Sequence, residues 1–226
     1  MSSGLRRLLK VPSPDTIHPL KDVWLKPRRV FRELAATPIR ITDYLLAGAQ
    51  GIATSIALYR GQLAGTHVGA GEILSSSIMF GPVGGILSTI LFAAIYGRLG
   101  KRAGGTSSFN QVFHILAYGG LPVAASLLLW AFTALFIGEA AIIESPGVAQ
   151  DAFVAFVQRA QFGAWVFLLL WSVVLQIMGL SEILGVVIRK ALGVYLLGQV
   201  LALLAALFLS FLIALLFPGV LPAVPH

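Results

Sequence analysis

The chain has 226 residues, of which 58% are hydrophobic and 11% charged, and its mean hydropathy is +0.90. Soluble domains carry about a quarter charged residues, so an ordinary soluble fold is excluded, and intrinsic disorder with it. The formal net charge is +7 and there are no cysteines, which removes disulfides, thiolate nucleophiles and cysteine-ligated metals.

Residues 1–41 read as a basic arm. They hold nine of the sixteen Lys and Arg residues and five prolines. They are too polar, and run too long before the first apolar stretch, to be a signal peptide. Within the arm, Leu20, Val23, Trp24, Val30, Phe31 and Leu34 fall at helical spacing and share one face. Lys21, Lys26, Arg28, Arg29 and Arg32 take the other face, and Pro27 suits the first turn of a helix. A basic amphipathic segment with aromatic anchors fits a membrane surface. The candidate lipid contacts are Trp24, Lys26, Arg28, Arg29, Phe31 and Arg32. The same apolar face could also pack on the protein's own spans, and the two readings are compatible.

Residues 42–217 supply five apolar runs, at about 42–61, 74–97, 112–138, 161–180 and 192–217, followed by a short tail at 218–226. Runs of this length must satisfy their own backbone hydrogen bonds in lipid, so helix is the economical choice. The first run is the least apolar, with Asp43, Gln50 and Arg60 in it. Basic residues alternate across these runs: fourteen fall on the side of the arm and two, Arg60 and Arg159, on the other. The positive-inside rule then places the N-terminus in the cytoplasm and the C-terminus outside. The expected fold is all-α with five transmembrane helices. A separate surface helix is expected in the outer connection, capped by Asp151, with Phe153, Phe156, Val157 and Ala160 on one face.

The second run repeats small residues every four positions, at Ser77, Gly81, Gly85, Thr89, Ala93 and Gly97. The first has a shorter version at Ala47, Gly51 and Ser55. Small side chains let helix backbones approach closely in lipid, so these two helices are expected to pack together. Pro82 and Pro122 lie inside runs two and three and should kink or unwind them. Gly81, Pro82, Gly85, Gly119, Gly120 and Pro122 are therefore the packing and kink positions.

Asp43, His114 and Glu182 are the polar residues with a candidate functional role, because a charge within the bilayer is costly. Each lies near a run end, where interfacial exposure or snorkelling explains it more cheaply. At mid-span stand Gln50, Gln176, Gln199 and a few hydroxyls, which is thin for a proton or ion path. The four histidines show no metal-ligand spacing, no phosphate loop or nucleophile elbow is present, and the basic residues track topology rather than a nucleic-acid motif. No catalytic residue, metal or cofactor is expected, and nucleic acid is not an expected partner.

The pattern resembles the YIP family of multi-pass membrane proteins, in particular its short prokaryotic members. The likeness rests on Trp24-x-x-Pro27-Arg28-x-x-Phe31, on five spans, on Tyr118-Gly119-Gly120-Leu121-Pro122, and on Gly179-Leu180-Ser181 with Arg189-Lys190-Ala191. The basic amphipathic arm and the lack of a catalytic constellation then lead to the expectation of a non-enzymatic protein of the cell membrane, the bacterial cytoplasmic membrane if prokaryotic, that organises membrane or binds partners. Those partners would be lipids, other membrane proteins or a second copy. The Rab-type GTPase binding of eukaryotic relatives does not carry over, because the arm is short and basic and Phe80-Gly81-Pro82 lacks the family's Asp. The alternative is a small-solute or ion transporter, channel or lipid scramblase with a pathway near the two prolines.

Overall fold

A computed structural model describes residues 18–62, 69–106, 108–143 and 151–216. The first 17 residues of the arm and the tail at 218–226 lie outside the described residues. The described residues form eight α-helices in chain order: α1 Pro19–Asp22, α2 Pro27–Leu34, α3 Ile41–Gln62, α4 Ala70–Arg102, α5 Phe109–Gly119, α6 Leu121–Ile137, α7 Ala152–Leu184 and α8 Ile188–Leu216. A 3-10 turn, Gly138–Ala141, ends α6. No strand occurs among the described residues.

Among the described residues four helical stretches are long and apolar enough to cross a membrane: Ala70–Arg102, Phe109–Ala141, Ala152–Leu184 and Ile188–Phe208. The expected first span, α3, has 22 residues but is not among them. Its centre is rich in Gly, Ala, Ser, Thr and Gln, and its two ends carry Asp43 and Arg60. Neighbours shelter it instead: α4 runs along it in the most extensive helix–helix interface of the molecule. Around the bundle the surface is apolar, with Val83, Leu87, Leu203 and Phe208 each more than half exposed, as lipid requires and water forbids.

Two expectations change. The outer surface helix is not separate, because residues 152–160 are the first turns of an unbroken 33-residue α7, about 50 Å long at 1.5 Å per residue. Asp151 does cap it, accepting from the Phe153 N–H at 3.1 Å. Pro82 does not unwind its helix, since α4 continues through it to Arg102. Unwinding occurs at Pro122, where α5 stops at Gly119 and α6 begins at Leu121.

Along the α3–α4 seam the backbones touch. A Cβ on Gly85 would lie 2.7 Å from Gly51 Cα, and one on Gly81 2.7 Å from Ile52 Cα. Ser77, Thr89 and Ala93 continue the buried row, whereas Gly97 is partly exposed and has open space around it. A four-residue step advances 40° past a full turn, so the row rotates away and Tyr96 and Leu99 take its place in the interior.

Candidate functional site

The arm folds back on the bundle. Pro27 opens α2, and Val23, Val30, Phe31 and Leu34 turn inward into the main core with Phe113, Ile115 and Leu180. Gly179 of α7 makes room for Phe31: a Cβ there would sit 3.0 Å from the Phe31 ring. Phe31 has no exposed surface, which corrects its expected role as a lipid anchor; the protein's own spans cover that face. Trp24 is half-buried against the same core. Lys21, Lys26 and Arg28 remain exposed. Arg29 pairs with Glu33 at 3.5 Å along the helix.

Polar contacts fix the dock. The Arg32 Nε and Nη2 both donate to Glu182 Oε1, at 2.8 and 2.6 Å, joining the arm to the end of α7. Gln111 donates to the Ala35 carbonyl at 3.3 Å and completes a capping box with Ser108 at the start of α5. Beneath them lie Asp43 and His114, each with 1% of its side chain exposed. His114 Nε2 donates to the Thr37 carbonyl at 3.1 Å, and Nδ1 lies 2.6 Å from Asp43 Oδ1. The second Asp43 oxygen accepts the Arg40 N–H at 2.6 Å.

A carbonyl can only accept, so Nε2 carries a hydrogen, and one further proton lies between Nδ1 and the carboxyl group. Whichever atom holds that proton, the pair is neutral overall, which is how two ionisable groups tolerate full burial. The sequence placed both residues at an exposed interface; the structure buries them against each other.

The opposite end of the bundle is tied by Arg60. Its Nη1 donates to Gln161 Oε1 at 3.2 Å, and Gln161 in turn donates to Thr133 Oγ1 at 2.8 Å. The Arg60 guanidinium also stands 5.5 Å from the centre of the Trp130 ring. Periodicity alone gave no hint of this network, because its members come from three different helices.

Between these two ends lies a cavity of about 630 Å³, near the middle of the long helices. It is lined from α3, α4, α7 and α8, with Leu116 and Val123 contributing from either side of the helix break. The break itself is repaired by α3: Gln50 Nε2 donates to the Ala117 carbonyl at 2.8 Å, a group stranded when α5 ends. Irregular backbone within a bilayer needs such cover. Gly119 and Gly120 admit the repair, since a Cβ on Gly119 would lie 2.8 Å from Gln176 Cγ and one on Gly120 would strike the Gln50 amide. The cavity is lined by Gln50, Gln176, Gln199, Thr54, Ser172 and Tyr195, among others. Among the described residues none that lines it is charged, and Asp43, His114 and Glu182 do not reach it.

Compared with protein families, the sequence matches the Yip1 domain over residues 21–211. No curated protein and no solved structure matches the chain. The matched span starts within the docked arm and ends within α8.

Proposed function

Because the chain belongs to the Yip1 domain family and carries several helices able to cross a bilayer, we propose that it is a non-enzymatic, five-span protein that organises membrane or binds partners. On this reading it lies in the cell membrane with the arm in the cytoplasm and the C-terminus outside. The observation that carries the proposal is the docked arm. Val23, Val30, Phe31 and Leu34 of its apolar face are buried in the core, and Lys21, Lys26 and Arg28 stand exposed beside the bundle. The partition of basic residues supports the same orientation.

Each basic side chain near an anionic leaflet is worth about 1 kcal/mol. Full-length protein in nanodiscs of mixed phosphatidylcholine and phosphatidylglycerol should enrich labelled phosphatidylglycerol around itself, read by energy transfer. Changing Lys21, Lys26 and Arg28 together to Glu should abolish that enrichment; equal enrichment in the variant would refute the lipid part. The absence of cysteine makes orientation simple to read. A cysteine placed by Arg28→Cys should be shielded from an impermeant maleimide in intact cells, and one placed by Asp151→Cys should react.

The cavity supports a second reading, passage of a molecule across the bundle. Its uncharged lining favours neutral molecules over ions.

A further inference from the structure

We infer that the mid-bundle cavity is a binding site for an uncharged amphiphile, a lipid whose head carries hydroxyl or carbonyl oxygens and no ionised group. This rests on the cavity and not on the lipid contacts proposed for the arm.

Three observations converge. The first is size: about 630 Å³ lies within the few hundred to about 1,000 Å³ of small-molecule sites. It can take a polar head and the start of its chains, while the rest trails outward. The second is lining chemistry. Three amide side chains from three helices, Gln50, Gln176 and Gln199, stand with the Ser172 and Thr54 hydroxyls around apolar walls from Phe92, Leu116 and Trp165. Amides and hydroxyls satisfy neutral oxygens at bilayer depth. A phosphate or ammonium head would find no countercharge among the described lining residues, and burying it there is costly.

The third observation is access. Thr54 and Leu58 of α3, Gly84 and Ser88 of α4 and Leu169 of α7 line the cavity and are exposed on the bundle's side. Their sequence neighbours Val83, Leu87 and Leu170 are 58–60% exposed and belong to the apolar surface around the bundle. The mouth is therefore lateral, and a molecule reaches it from the bilayer. The walls are held apart by contacts at either end. Gly198 of α8 packs on the Tyr96 ring and Gly100 of α4 on Leu184, while Arg60 reaches Gln161 at the opposite end.

The test uses full-length protein in phosphatidylcholine nanodiscs and a photoactivatable dioleoylglycerol whose reactive group is near the head. Labelling should saturate, map by mass spectrometry to cavity residues, and be displaced by unlabelled dioleoylglycerol but not by dioleoylphosphatidic acid, which differs by one charged group. A Cβ on Gly84 meets nothing within 4 Å, so Gly84→Leu starts from open space, narrows the mouth and should weaken labelling about tenfold or more. Gln176→Leu should weaken it similarly by removing an amide. Gly163 also has open space around it and lies away from the cavity, so Gly163→Leu should change nothing. Should Gly84→Leu not melt like the parent protein, Thr54→Leu serves as the mouth-filling variant. Equal displacement by phosphatidic acid, labelling spread over lipid-facing residues of α8, or labelling indifferent to the mouth-filling variant would each overturn the inference. The arm variant with three glutamates should label normally, which separates this site from the proposed arm function.

Discussion

The α3–α4 seam and the dock between arm and bundle join helices by opposite means. The seam has almost no side chains in it: Gly51, Gly81 and Gly85 bring backbone against backbone. The dock is made largely of side chains, with Arg32 on Glu182, Phe31 against Gly179 and His114 on the Thr37 carbonyl, His114 itself being held by Asp43. Within lipid there is no hydrophobic drive between helices, so shape decides the seam. At the arm, both apolar burial and charge pairing are available, and both are used. A joint made by shape fails when volume is added; a joint made by charge fails when a partner is taken away.

The largest expected effect comes from taking Asp43 away. Asp43→Ala takes the partner from both His114 Nδ1 and the Arg40 N–H, and each polar group left unsatisfied costs about 1–3 kcal/mol. Unfolding in mild detergent should shift accordingly, and limited proteolysis near Thr37 should speed up because His114 no longer holds its carbonyl. Stability equal to the parent would show that the pair is incidental to the dock. Next comes the seam. Gly85→Ala puts a methyl group 2.7 Å from Gly51 Cα and should cost about 1–3 kcal/mol, the range for overpacking. Gly97→Ala, in the same helix but off the seam, should melt like the parent. If both variants melted alike, the four-residue repeat would have no bearing on packing. The smallest effect should follow Arg32→Ala. Arg32 is 72% exposed although Glu182 is 20% exposed, and exposed pairs contribute about 0.2–1 kcal/mol. High salt should erase the difference between this variant and the parent.

Those two joints were not equally legible. The seam could be read from spacing, because a repeat of small residues every four positions states where backbones can meet. The break at Pro122 could be read in the same local way, since it follows from a missing N–H and two adjacent glycines. Pro82 shows the limit: the same residue inside α4 leaves the helix unbroken. The dock was not legible. The amphipathic face of residues 20–34 is plain, but an apolar face looks the same whether lipid or protein covers it. His114 and Asp43 are 71 positions apart, and nothing in local periodicity pairs them, so each read singly as an interfacial residue. The cavity lay between these cases. Gln50, Gln176 and Gln199 stood out as mid-span amides, but their convergence depends on three helices meeting at one depth.

The arm's attachment has a consequence for how the protein is made. Arg32 and its partner Glu182 are 150 residues apart. At about 5–20 residues per second, about 8–30 s of synthesis separates them. Throughout that interval Val30, Phe31 and Leu34 exist without Gly179 and Leu180, and the bilayer surface is the apolar cover at hand. An amphipathic segment with Lys and Arg on its outer side is suited to rest there. Lipid then acts as the first partner of this face and the finished bundle as its last, so a membrane-binding sequence and a core-packing structure describe two moments in the life of one helix.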